Sequence, residues 1–147
     1  MSDRFELDPR LAADTSLVGE TPLSQVLLMN DARYPWLILV PRRADITEPF
    51  ELSEADQAQL WQESMWLGQA MKAHFAANKM NIAALGNQVA QLHVHHIARF
   101  HVDAAWPGPV WGVGSAIPYQ KAAFDTLMDD LRSVLQQLMG LTGANHG

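Results

Sequence analysis

The sequence predicts an α+β domain: an antiparallel sheet of about five strands, one long helix packed on it and a C-terminal helix. Three observations predict it. Two apolar runs, residues 24–30 and 36–40, flank the polar connection Asp31-Ala32-Arg33-Tyr34-Pro35 and read as an antiparallel hairpin. A long stretch over residues 53–78 carries apolar residues at near-helical spacing. Two more short runs, residues 81–85 and 91–99, are separated by Gly86-Asn87-Gln88 and read as strands either side of a turn.

Each element has a local cause. Ser16-Leu17-Val18-Gly19 suggests a short first strand, and Thr21-Pro22 a turn. Before it, Phe5, Leu7 and Leu11 can anchor an N-terminal docking arm. Both hairpin runs are almost continuously apolar, so both faces of these strands should be covered. Ser53 is placed to cap the long helix, and Glu54 and Asp56 put negative charge in its first turn. Leu60, Met65, Leu67, Met71 and Phe75 then form the stripe that packs on the sheet. Pro118 suits the first turn of the last helix, expected over about 118–140, with fraying from residue 140 to the end.

At 147 residues the chain suits one domain, with a core over about 24–112, and 48% apolar residues suffice to fill it. Cysteine is absent, which excludes thiol catalysis and a disulfide framework and fits a reducing cytoplasm. The charged start Met1-Ser2-Asp3-Arg4-Phe5-Glu6 has no apolar core of a signal peptide, and no run is long enough for a membrane span. A net charge of −6 argues against a general nucleic-acid binder. It still permits one local phosphate pocket built from backbone N–H groups and a few side chains.

The chemistry concentrates in Gln91-Leu92-His93-Val94-His95-His96-Ile97-Ala98-Arg99. Side chains alternate along a strand, so Gln91, His93 and His95 are expected on one face, with imidazoles about 7 Å apart. His96 falls on the other face, where it reads as a core or interface histidine. Three interpretations of the pair compete. The histidines can be incidental on a half-buried strand. They can bind zinc or copper, although no cysteine exists and no carboxylate lies between Ile82 and Val102. Or they can act on a phosphate, one ring as nucleophile and the next as a donor to developing charge.

The run from Val89 to Arg99 resembles the signature of the histidine triad (HIT) superfamily, His-φ-His-φ-His-φ-φ, where φ is apolar. The segment from Val26 to Ser53, with Asn30 and then Pro41-Arg42-Arg43 after a strand, is similar to the family as well. Three positions depart from it. Gln91 replaces the first histidine, Ala98 replaces a common proline, and His96 stands at a normally apolar position.

The resemblance implies a HIT-like fold and a homodimer; no cofactor is expected, and with no thiolate and no carboxylate on the strand the site is expected to be metal-free. The resemblance also implies a nucleotide hydrolase or nucleotidyl transferase that cleaves at the α-phosphate of a nucleoside phosphoramidate or dinucleoside polyphosphate. The nucleophile would be His93, through a nucleotidyl-imidazole. His95 would contact the phosphate. Gln91 would donate to a phosphate oxygen or bridge to His95, without acid–base capacity. Asn87 and Gln88 would face phosphate oxygens, and Asn30 the ribose. Trp36 stands where many members have a pocket histidine, so that contact is expected to be lost. The competing functional reading is a nucleotide sensor or interaction protein with little turnover, favoured by Gln91 and opposed by His93.

Overall fold

The computed structural model describes residues 4–144. Five strands form one antiparallel sheet: β1 (Thr15–Glu20), β2 (Ser24–Met29), β3 (Trp36–Pro41), β4 (Lys79–Ala83) and β5 (Val94–Arg99), in the order β1-β2-β3-β5-β4. Three α-helices accompany them: α1 (Pro9–Asp14), α2 (Glu54–Phe75) and α3 (Lys121–Ala144). The antiparallel α+β architecture is the one the sequence predicts.

Alternation along β3 and β5 divides the interior into two. Leu37, Leu39, Val94 and Ala98 face α2 and α3, and pack with Leu60, Leu67, Met71, Met128, Leu131 and Leu135. Trp36, Ile38, Val40 and Ile97 face the other way, against Leu11, Tyr34 and Val110. Both long helices therefore cover one face. The opposite face is covered by the N-terminal arm, α1 and the segment after β5, and that thinner cover leaves room for a site.

Helix α2 starts where expected, with Ser53 Oγ accepting from Asp56 N at 3.1 Å. It carries a residue that apolar periodicity does not reveal. Glu63 is 1% exposed and accepts from Thr21 Oγ1, Leu23 N and Gln59 Nε2 at 2.6–2.8 Å, which satisfies the buried carboxylate and ties α2 to the β1–β2 turn. At the sheet edge, a β-carbon on Gly19 would stand 2.7 Å from Leu135 Cδ2, so the Leu135 side chain of α3 packs directly on the β1 backbone and would have to shift for any larger residue.

Several boundaries differ from the sequence reading. The fourth strand begins two residues early, at Lys79, because its partner is Arg99 at the end of β5. The histidine strand begins at Val94, so Gln91, Leu92 and His93 precede it. Pro118 lies outside α3, which starts at Lys121 and continues past Gly140 through Ala144. The last three residues, where fraying is also expected, lie outside those described. Trp61 is not part of the packed stripe and is 67% exposed.

Arg99 holds the segment after β5. It is 1% exposed, donates through Nε and Nη2 to both Asp103 carboxylate oxygens at 2.8 and 3.0 Å, and reaches Asn81 Oδ1 and the Gly108 carbonyl. Asp103 also accepts from the backbone of Phe100, Ala105 and Trp106. The Arg99 guanidinium, with these N–H groups, holds the Asp103 carboxyl down at about 2. A folded-state pKa below the unfolded one stabilises the fold above the unfolded value and loses that effect as pH falls through the folded value. The stability gap between wild type and Asp103→Asn in urea unfolding should be full above about pH 4 and close toward pH 2, by on the order of 2 kcal/mol.

Candidate active site

The last residues before β5 and the first two within it define the site. His93 is 6% exposed and His95 4%, and their ring centroids are 4.9 Å apart, closer than an ideal strand spacing because His93 precedes the regular ladder. His93 Nδ1 lies 2.6 Å from the Gln91 carbonyl oxygen. A carbonyl only accepts, so Nδ1 carries a proton, and in the neutral ring it is Nε2 that keeps the lone pair. His95 has the opposite arrangement. Trp36 Nε1 stands 3.0 Å from His95 Nδ1, and an indole N–H only donates. His95 Nδ1 therefore accepts, and the ring proton sits on Nε2.

Burial first, then the neighbouring His93 and His96, push the His95 pKa down to about 3, so this ring is neutral over the working range of most enzymes. Beside this ring, the neutral form of His93 has the opposite tautomer, and together they offer one lone pair and one N–H donor, which is what attack on a phosphorus beside an anionic oxygen requires. Trp36 and Trp111 pack edge-on against the His95 ring at 5.6 and 5.1 Å between centroids and fix its plane.

Both histidines open on a cleft of about 350 Å³. Gly86, Asn87 and Gln88 form one rim, with Gly86 at φ +76°, a conformation that favours glycine. Leu11 and Asp14 of α1 form another, and Trp111 a third. A neighbouring depression of about 450 Å³ shares Asp14, Met29, Trp36 and Trp111 with the cleft, and Asn30 lies there, its Oδ1 accepting from Tyr119 N at 2.9 Å. The wall of this depression is pinned by Asp31 and Arg33. Their side chains pair bidentately, Arg33 Nη1 donates to the Val113 carbonyl, and Asp31 Oδ1 accepts from Ile117 N.

Of the residues singled out in the sequence, the structure brings together His93, His95, Asn87 and Gln88, with Asn30 in the adjoining depression. Gln91 does not join them. Its Oε1 accepts from Asp8 N and its Nε2 donates to the Glu6 carbonyl, both at 2.8 Å, and only this amide orientation satisfies both partners. The shared-face expectation fails because the chain is not yet a strand at residue 91. Trp36, where the resemblance implies the loss of a histidine contact, lines the cleft and spends its indole N–H on His95 Nδ1. His96 points to α2, with Nε2 2.9 Å from Ser64 Oγ, and burial lowers its pKa to about 4. Arg42 and Arg43 bond Glu20, Asp56 and turn carbonyls, away from the cleft.

The family model described as HIT domain matches residues 10–102, most of the chain and all of the site's histidines. The chain belongs to the HIT family. A histidine triad protein from Marinobacter aquaeolei VT8 is 49% identical with a TM-score of 0.89, over 92% of this chain and 98% of that one. One from Sinorhizobium meliloti 1021 is 50% identical with a TM-score of 0.85, over 88% and 96%. A third, from Bradyrhizobium japonicum, is 48% identical with a TM-score of 0.86, over 88% and 97%. Among curated proteins, nothing matches.

In this HIT protein the sequence reading missed Leu11, Asp14 and Trp111 as cleft walls. The Leu11 anchor was legible; its place beside His93 follows from α1 and from the Gln91 clasp, which no local pattern encodes. Among the described residues no group of three His, Cys, Asp or Glu could hold a metal ion, and no helix is long and apolar enough to cross a membrane.

The clasp makes a direct prediction. Gln91→Ala removes two hydrogen bonds, each worth about 0.5–1.5 kcal/mol. Amide hydrogen exchange over residues 4–14 should accelerate by about 5- to 150-fold while β3 and β5 keep their protection. Unchanged exchange in the arm would show that Gln91 does not hold it.

Proposed function

We propose that this protein is a nucleotide hydrolase or nucleotidyl transferase acting at the α-phosphate of a nucleotide substrate. The observation that carries this reading is the ring-proton arrangement. His93 Nδ1–H is held by the Gln91 carbonyl, so the His93 Nε2 lone pair is free to attack. His95 Nε2–H can donate to a phosphate oxygen as charge builds on it. Asn87 and Gln88 can donate their side-chain amides to other phosphate oxygens. The adjoining depression, with Asn30 at its wall, has room for the ribose and base.

In the first step His93 Nε2 forms a bond to the α-phosphorus and the leaving group departs with its bonding electrons. In the second, water attacks the same phosphorus, the P–N bond breaks, and the nucleoside monophosphate leaves. The reading also includes a homodimer. β4 is a sheet edge with Ile82 40% exposed, and α2 presents Trp61, so a second copy could extend the sheet and cover apolar surface. A cytoplasmic location remains part of the proposal.

A second reading, a nucleotide sensor with little turnover, is favoured by one observation: the Gln91 amide is spent on the N-terminal arm and takes no part in chemistry. One pair of measurements separates the two. Mixed with adenosine or guanosine substrates and quenched with base, the wild type should show nucleotidyl mass on His93. His93→Ala should lose this adduct and at least ~10³-fold in kcat, with unchanged circular dichroism. Wild-type-like rates in His93→Ala would rule out this nucleophile. Tight nucleotide binding with no adduct and no turnover in the wild type would favour the sensor.

A further inference from the structure

Cleaving a bond to phosphorus leaves an electron pair on the departing atom. An amine or alkoxide needs a proton delivered to that atom as the bond breaks. A phosphate, a polyphosphate or a p-nitrophenolate departs as a stable anion and needs none. The groups around the His93 Nε2 lone pair therefore decide which substrates can be used.

The two groups that the family pattern sets beside that lone pair, at positions 91 and 95, are closed to proton delivery. Gln91 cannot transfer a proton, and its amide is turned away into two backbone bonds with Glu6 and Asp8. His95 has only its Nε2 proton, and giving that up would leave an imidazolate. To act as an acid it would first need a second proton, on Nδ1. That atom faces the Trp36 N–H at 3.0 Å, with Trp36 6% and His95 4% exposed. Two N–H groups would then point at each other, and an indole nitrogen cannot switch to accepting. The other cleft walls are apolar side chains and the amides of Asn87 and Gln88, except for Asp14 of α1. Outside the cleft, the Asp8 carboxylate is engaged by Arg10, whose Nη1 donates to the Gln88 carbonyl.

We propose that Trp36 and Gln91 make this site selective for leaving groups that depart as stable anions, so that its substrates are nucleotide phosphoanhydrides and not phosphoramidates or alkyl esters. The proposal rests on the nucleotidyl-transfer reading and narrows it to one substrate class. Trp36 is a positioning residue: it acts through His95 by fixing where the ring proton sits. The balance needs no acid. His93 Nε2 bonds to the α-phosphorus, the bond from phosphorus to the bridging oxygen breaks, and its electron pair leaves on that oxygen. Water then bonds to phosphorus, the P–N pair returns to the His93 ring, and the proton from water passes to solvent.

The test is a leaving-group series on one nucleoside 5′-phosphoryl group, run with both adenosine and guanosine: a dinucleoside polyphosphate, the p-nitrophenyl ester, the phenyl ester and an alkyl phosphoramidate. At pH 7 the anhydride and the p-nitrophenyl ester should turn over. The phenyl ester and the amine should fall below the p-nitrophenyl ester by about 10²–10⁴ in kcat/KM, the usual worth of a positioned proton donor. Trp36→His gives position 36 a group able to accept as well as donate. It should raise amine release relative to p-nitrophenolate release at least ~10-fold and add a limb to the pH profile of amine release, which a purely structural role would not do.

Amine release by the wild type within ~10-fold of p-nitrophenolate release would overturn the proposal while leaving His93 as nucleophile. An unaltered leaving-group ratio in a folded, active Trp36→His would overturn the role of Trp36. The wild-type series alone decides substrate class should the variant fail to fold. Absence of both turnover and a His93 adduct with every substrate would instead remove the nucleotidyl-transfer reading, and this proposal with it.

Discussion

The proposed chemistry depends on one hydrogen bond: the 2.6 Å contact from His93 Nδ1 to the Gln91 carbonyl. It decides which nitrogen of the neutral ring carries the proton and which keeps the lone pair. Because the acceptor is backbone two residues earlier, the bond depends on the path of the chain from residue 91 to 93, and that path depends on what holds Gln91. The Gln91 side chain is clasped by the N-terminal arm at Glu6 and Asp8. The residue that stands in for a triad histidine thus orients His93 in two ways, through its carbonyl directly and through its amide indirectly. Neither way requires it to touch substrate.

The fold explains why such a site fits on this sheet. Placing α2 and α3 on one face leaves the other to thin cover, so buried histidines there can still reach a cleft. The cost of burying polar rings is met by directed partners. His95 has the Trp36 indole, His93 the Gln91 carbonyl, and Arg99 the Asp103 carboxylate with two further acceptors. Arg99 is far from a catalytic role, yet by holding the segment after β5 it helps to bring Trp111 against His95. The Asp31–Arg33 pair does the same from the other end of that segment.

What could be read from the sequence was what local chemistry encodes. The β2–β3 hairpin followed from two apolar runs, the Ser53 cap from its hydroxyl and acidic neighbours, and the Gly86 turn from a residue free to adopt positive φ. The His93/His95 pairing followed from a two-residue spacing. Parity failed at Gln91 because strand geometry starts three residues later, where β5 first finds partners in β3 and β4. Glu63, α1 and Trp36 were missed for one reason. Each takes its role from a partner at least 40 residues away, in contacts that no periodicity announces. For Trp36 a signal did exist: an indole N–H opening an otherwise aliphatic strand needs a buried acceptor.

That the His93 and His95 rings hold opposite tautomers is directly measurable. Long-range nitrogen–proton correlation spectra of ¹⁵N-histidine-labelled protein distinguish the two ring nitrogens in each state. At pH 7 His93 should carry its proton on Nδ1 and His95 on Nε2, and His95 should stay neutral when the sample is taken to pH 5, two units above the value of about 3 that burial and its neighbours impose. A His95 signal with the proton on Nδ1, or an imidazolium at pH 6, would contradict the Trp36 hydrogen bond and the division of labour built on it.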